Sequence, residues 1–235
     1  PFGMLRIANR TGQGQLSSLL SALSWIDENH QTYDITTVIL PFAMYSAPKT
    51  LVNYYTSFLD YLIENSQIFF SIAAGNHGID GDMNQLTRSH QILSIGATNH
   101  LDQLSSFSGM GNPLYSGSSD SYQNLDLVAP GGSDMSDGLS IFTPLIDSAI
   151  DDIEIYRNNY YSASSGTSLS SAIVGGIYHL LLNQLTSINH NEDLSEPVRQ
   201  NLMNLLQISA SELNTIREED QIGRASCRER VCHRV

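Results

Sequence analysis

The stretch Ile68-Phe69-Phe70-Ser71-Ile72-Ala73 is apolar at nearly every position, so a strand formed from it has no face suited to water. Such a strand needs cover on both sides, which a parallel sheet lying between two layers of helix provides. The rest of the chain alternates accordingly. Hydrophobic spacing predicts helices over 16–29, 48–65, 168–186 and 196–207, and strands over 35–40, 67–73, 92–97 and 125–128. A short strand near Ile141 and a hairpin across Ile153 to Ser162 complete the pattern. Leu5-Arg6-Ile7-Ala8 reads as one more strand, ending at a turn over Thr11 to Gln15. The fold class predicted is α/β, a three-layer α/β/α sandwich with a mainly parallel sheet. Gly175 and Gly176 interrupt the 168–186 helix at a cost in propensity and are read as letting it close on the sheet.

Composition is informative only once the C-terminal residues are set aside. Ile222-Gly223-Arg224-Ala225-Ser226-Cys227-Arg228-Glu229-Arg230-Val231 matches, residue for residue, the in-frame translation of a common sequencing adapter. Residues 222–235 are therefore expected to be a non-native tail, and 1–221 a single domain. The tail holds four of the 11 basic residues, one of the 24 acidic ones and both cysteines, Cys227 and Cys232. What remains has 7 basic and 23 acidic residues, a net charge of −16, and no cysteine from which to infer a disulfide or a thiolate metal site. So acidic a chain, with Lys49 as its one lysine, lacks the basic face that nucleic-acid binding requires. No apolar run is long enough to span a bilayer.

Ser165-Gly166-Thr167-Ser168-Leu169-Ser170-Ser171-Ala172 places a serine on a glycine-led turn at the head of an apolar helix. Unpaired backbone N–H groups and a partial positive charge at such a terminus suit a nucleophile whose attack generates an oxyanion. Ser168 is the candidate; a plain helix cap is what most Gly-Thr-Ser runs amount to. Upstream, Phe69 to Gly78 ends in Ala73-Ala74-Gly75-Asn76-His77-Gly78, and Leu125 to Gly131 ends in Ala129-Pro130-Gly131. Between them lie Ile92 to Ala97 and Ser105-Ser106-Phe107-Ser108. Asn76, taken alone, is equally a loop asparagine tolerating a left-handed turn.

In order and spacing these four motifs resemble the subtilisin-like serine proteases, the subtilases. The resemblance implies a serine endopeptidase with Ser168 as nucleophile and Asn76 donating its side-chain amide to the oxyanion. It also implies a substrate-binding edge at Pro41, Phe42 and Ala43, and specificity-pocket walls from Ile72, Ala73, Ala74 and Gly75 together with the Asn99 to Ser105 neighbourhood. Peptides or proteins would be the substrates, and secretion or the cell envelope the expected location. The family's Asp and His motifs are missing, and among seven histidines only His77 precedes a glycine. His179 lies about 16 Å along the helix from Ser168 by helical rise, out of reach. The sequence is thus expected to be an internal piece, incomplete at its N-terminus and inactive alone.

Two departures stand out. The family's Ser-Leu-Gly edge is Pro41-Phe42-Ala43, which removes a backbone donor and a permissive glycine, and its Met, Ala and Pro after the serine are Leu169, Ser170 and Ala172. The first of these, with the lack of a visible base, prompts a rival expectation, a catalytically inactive subtilase-like domain that binds peptides or partners. An α/β hydrolase would need a Gly-x-Ser-x-Gly elbow, which is absent around Ser168. No cofactor is required. The family would allow a structural calcium, but the two carboxylates of Asp80-Gly81-Asp82 are too few to locate a site.

Overall fold

Four strands, β1 (Thr37–Leu40), β2 (Phe69–Ala73), β3 (Leu93–Thr98) and β4 (Leu127–Pro130), lie side by side in that order and are all parallel. The computed structural model describes residues 3–9, 11–78, 83–89, 91–110, 125–133, 140–144, 161–188, 196–212 and 233–234. β2 and β3 are buried at every position, as their composition demands. Side chains alternate across a strand, so β2 serves two cores. Phe70 and Ile72 pack with α1 (Leu16–Tyr33) and α2 (Lys49–Ser66) through Leu19, Leu23, Val52, Leu59 and Leu62. Phe69 faces the opposite layer, α3 (Thr167–Ile188) and α4 (Glu196–Ser209), and stacks on Tyr178 with ring centroids 3.7 Å apart. The architecture is the expected three-layer sandwich.

α3 is joined to the sheet by polar as well as apolar contacts. Ser71 Oγ donates to Ser171 O at 2.7 Å, and Ser170 Oγ to Ala129 O at 2.9 Å, all four groups lying in the interior. Each buried hydroxyl is thereby satisfied where water cannot reach. Gly175 permits this closeness, since a Cβ there would lie 2.5 Å from Ile39 Cγ1 and 3.3 Å from Ser71 Cβ. Gly176 does not share the role; a Cβ at that position meets nothing within 4 Å.

Several boundaries differ from expectation. Leu5 to Ala8 is not a strand: only an isolated antiparallel bridge, Ala8 with Gly14, is made, and Met4 and Leu5 are exposed with no ladder to join. Asn9 Oδ1 organises that segment instead, accepting from the N–H groups of Thr11 and Gln13. β4 starts two residues later than predicted because the Asp126 carboxylate takes the Ser94 N–H at 2.8 Å. β5 (Ile141–Pro144) pairs antiparallel with β6 (Tyr161–Ser164), while residues 153–160 of the expected hairpin fall outside the described residues. Past the boundary drawn at 221, β8 (His233–Arg234) pairs with β4 and with β7 (Ser211–Glu212). The pairing is two residues long and runs through backbone groups, which any sequence carries. No helix among the described residues is long and apolar enough to cross a membrane.

Two predictions follow from this packing. Gly175→Ala is expected to lower stability by about 1–3 kcal/mol through overpacking, whereas Gly176→Ala raises it by about 0.5–1 kcal/mol through helix propensity; urea denaturation of both variants checks the contrast. Tyr55, buried and donating to the Leu16 carbonyl, has its phenol pKa raised above 10.0 by burial and by the neighbouring Tyr54. Its contribution is therefore full below the unfolded value of about 10 and lost as pH rises through the folded value. Denaturation midpoints measured between pH 8 and 11.5 should fall less steeply for Tyr55→Phe than for the unaltered chain.

Candidate active site

The parallel strands deliver their carboxyl ends to one edge of the sheet, and the N-terminus of α3 arrives at the same edge. Gly166, at φ +151°, makes the turn into the helix and donates its N–H to Gly131 O at 2.8 Å. Thr167, buried, then presents two donors to a single atom. Its N–H and its hydroxyl both reach Asn76 Oδ1, at 2.9 and 2.8 Å. The same hydroxyl accepts from Gly75 N–H at 3.1 Å.

This arrangement fixes the asparagine. A backbone N–H can only donate, so the carboxamide atom facing it is the oxygen, and both lone pairs of that oxygen are taken. Nδ2 is left as the outward donor beside Gly166, where a Cβ would stand 3.1 Å from it. Ser168, half-buried in the first turn of α3, donates from Oγ to Pro41 O at 3.3 Å. Of the first-turn N–H groups, that of Thr167 goes to Asn76 Oδ1 and that of Leu169 to Gly166 O, and the positive end of the helix field lies beside Ser168.

The other predicted residues divide into those at this edge and those behind it. Pro41 is exposed at the end of β1 and Gly75 lies beneath Asn76. Ile72 and Ala73 are buried inside β2, and the Ile72 side chain belongs to the core shared with α1 and α2. Ala74 is fully buried, its N–H bonded to Ile95 O. The Phe42 ring lies where a side chain on Gly14 would go, and Ala43 is half-buried between Phe42 and Met44. From the loop after β3, Phe107 and Gly109 bond the glycine turn: Gly78 N–H donates to Phe107 O and Gly109 N–H to Gly75 O, each at 2.8 Å.

Asn84 holds the two sides together, although no sequence motif points to it. Wholly buried, it accepts on Oδ1 from Met44 N–H and Leu86 N–H, and donates from Nδ2 to Phe42 O and Ala73 O, the last two at 2.8 Å. It thus bolts the segment after β1 to the end of β2. Gln85 extends the seam, its N–H donating to Met44 O and its Oε1 accepting from Ala47 N–H. An isolated loop asparagine has no local signature for such a role.

None of the described histidines bonds to Ser168. His77 stacks on Tyr45 with ring centroids 3.8 Å apart, and His179 Nδ1 lies 3.4 Å from Thr37 Oγ1. No group of three or more His, Cys, Asp or Glu side chains is placed to hold a metal among the described residues, and Asp80-Gly81-Asp82 lies outside them.

A parallel sheet ending in a serine-bearing helix, with an asparagine pinned beside it, is the frame in which the known relatives belong. Residues 37–223 match the model of the subtilase family, and the chain belongs to that family. Proteinase R of Parengyodontium album is 23% identical over 204 residues, covering 85% of this chain and 43% of that protein. The minor extracellular protease Epr of Bacillus subtilis (strain 168) is 24% identical over 201 residues, 86% of this chain and 25% of the relative. The chain therefore spans less than half the length of these curated relatives. Among solved structures, a cold-adapted subtilisin-like serine proteinase superposes with a TM-score of 0.60 at 22% identity, over 97% of this chain and 64% of the other. The prenylagaramide maturation protease PagA gives 0.63 at 19%, over 92% and 65%. These likenesses establish the fold.

Removing the Asn84 carboxamide strands four backbone groups in the interior, each worth about 1–3 kcal/mol when unsatisfied. Asn84→Leu is accordingly expected to cost about 3–5 kcal/mol, placing it among the severe single substitutions. Chemical denaturation against the unaltered chain measures this directly, and a loss under 1 kcal/mol contradicts the assignment.

Proposed function

We propose that this domain is the partial catalytic domain of a serine endopeptidase, with Ser168 as nucleophile and the Asn76 amide in the oxyanion hole. The observation that carries the proposal is the double hydrogen bond from Thr167 to Asn76 Oδ1, which aims Nδ2 outward one residue from the serine. Ser168 Oγ attacks the substrate carbonyl carbon and gives its proton to a base. The tetrahedral oxyanion is met by Nδ2, by the Ser168 N–H and by the positive end of α3. The base then protonates the departing amine as the C–N bond breaks. Water, activated by the same base, cleaves the acyl ester and returns a proton to Ser168.

The base and its orienting carboxylate are assigned to a histidine and an aspartate of the parent protein ahead of this segment. The 235-residue chain alone is expected not to turn over, because a triad lacking its base is about as impaired as one lacking all its members. The catalytic domain portion is assigned to residues 1–221, and 222–235 to a non-native tail; the family match ending at residue 223 supports that division. Peptide or protein substrates, and secretion or attachment at the cell envelope, are proposed on the strength of relatives that include an extracellular protease. Specificity walls are assigned to Ile72, Ala73, Ala74 and Gly75 with the Asn99 to Ser105 neighbourhood, and the substrate-binding edge to Pro41, Phe42 and Ala43.

A second reading, a non-catalytic peptide-binding domain, is favoured by one specific feature: Pro41 carries no N–H for pairing with an added strand. Reacting the full gene product with a fluorophosphonate separates the two. Labelling is expected, and Ser168→Ala should abolish it; labelling that survives in the alanine variant removes Ser168 as the nucleophile. Asn76→Ala should lower kcat on a peptide substrate by about 10²–10³, the magnitude known for an oxyanion asparagine of subtilisin itself and carried over here.

A further inference from the structure

Tyr45 bridges the two segments that flank Ser168. Its hydroxyl accepts the Asn76 N–H at 3.1 Å, and its ring is stacked on the His77 imidazole at 3.8 Å and 21° between planes. The hydroxyl also sits over Gly75, in the place a Cβ on that residue would take. Gly75, at φ +106°, is thus needed twice, for its backbone conformation and for the room it leaves the phenol. The backbone that carries Tyr45 is fixed on both sides: Met44 is held by Asn84 and Gln85, and Ala47 by Gln85. The ring itself is held by the hydroxyl–Asn76 bond and the stack on His77. It crosses from the segment after β1 to the turn after β2 and ends over Gly75.

We propose that Tyr45 is a specificity-determining residue that bars this cleft, so that the substrate residue contributing the scissile carbonyl must have a small side chain. The inference rests on the endopeptidase assignment above. A substrate whose carbonyl lies between Ser168 Oγ and Asn76 Nδ2 points its neighbouring side chain toward the glycine turn, the ground the phenol already holds. Alanine or glycine fits beside the ring. A phenylalanine or leucine must displace it, giving up the hydroxyl–Asn76 bond and the stacking on His77, which together shift the population by roughly thirtyfold. What a large side chain gains by burial is offset by the phenol it turns out into water, an aromatic of comparable area.

The test compares two peptide substrates that differ only in having Ala or Phe as the residue whose carbonyl is attacked, using the full gene product. The unaltered enzyme should cleave the Ala peptide with kcat/KM at least tenfold above the Phe peptide. Tyr45→Ala should bring the ratio to unity or reverse it, and Tyr45→Val, shorter than Tyr but still branched, should do the same where the alanine variant does not fold. Tyr45→Phe keeps the ring and its stacking but loses the hydroxyl bond, so the ratio should fall by about fivefold while still favouring the Ala peptide. An unaltered enzyme that cleaves the Phe peptide as well as the Ala peptide overturns the proposal without recourse to any variant. So does a ratio that stays within twofold of its original value in Tyr45→Ala or Tyr45→Val. Fluorophosphonate labelling distinguishes the two levels: absence of Ser168-dependent labelling defeats the endopeptidase assignment, whereas normal labelling with an unchanged ratio defeats only the role of Tyr45.

Discussion

Four hydrogen bonds converging on the buried Asn84 carboxamide hold the segment after β1 and the end of β2 at a fixed separation. Parallel strands β1 and β2 bring their ends to the same edge, but the ladder between them stops at Leu40 and Ile72. Beyond those residues the backbone of each segment needs other partners, and one side chain supplies them to both. A saturated amide in the interior is stiff for the same reason that it is costly to remove, since no water can substitute for any of its partners. Pro41, Tyr45 and Gly75 all stand on that foundation.

On the other side of the sheet the problem is different. α3 must lie close enough for its first turn to meet Asn76, and two devices bring it there: the missing side chain at Gly175 and the serine hydroxyls of Ser71 and Ser170. Purely apolar contact would resist separation but tolerate sliding. The directional bonds from Ser71 to Ser171 and from Ser170 to Ala129 set the helix's position along its axis as well as its distance, which is what places Thr167 under Asn76 to within a hydrogen bond.

The fold was legible in the sequence because its determinants are local. The unbroken apolar run at 68–73 signals a strand covered on both faces, and the long helices on either side of it supply that cover. Where a segment lacked a neighbour, the pattern misled: Leu5 to Ala8 has strand composition, yet only Ala8 finds a partner. Gly175 and Gly176 are indistinguishable in sequence, and only the position of Ile39 separates a required glycine from a dispensable one. Ser168 and Asn76 could be singled out because their turns carry glycine punctuation. Asn84 and Tyr45 could not, since their partners lie 40 and 31 residues away and nothing adjacent to them announces the contact.

The common direction of β1 and β2 has one more consequence, for how such a domain changes over evolutionary time. Asn76, Gly75 and Tyr45 stand on segments beyond the strand ends and Ser168 at the head of α3, while the residues that decide whether the sandwich forms lie beneath them, within the strands and helices. Mutations can therefore accumulate in the two compartments at different rates, one answering to solubility and folding, the other to whatever that edge meets. A lineage can drift to fewer than one identical residue in four from its cousins without losing its shape.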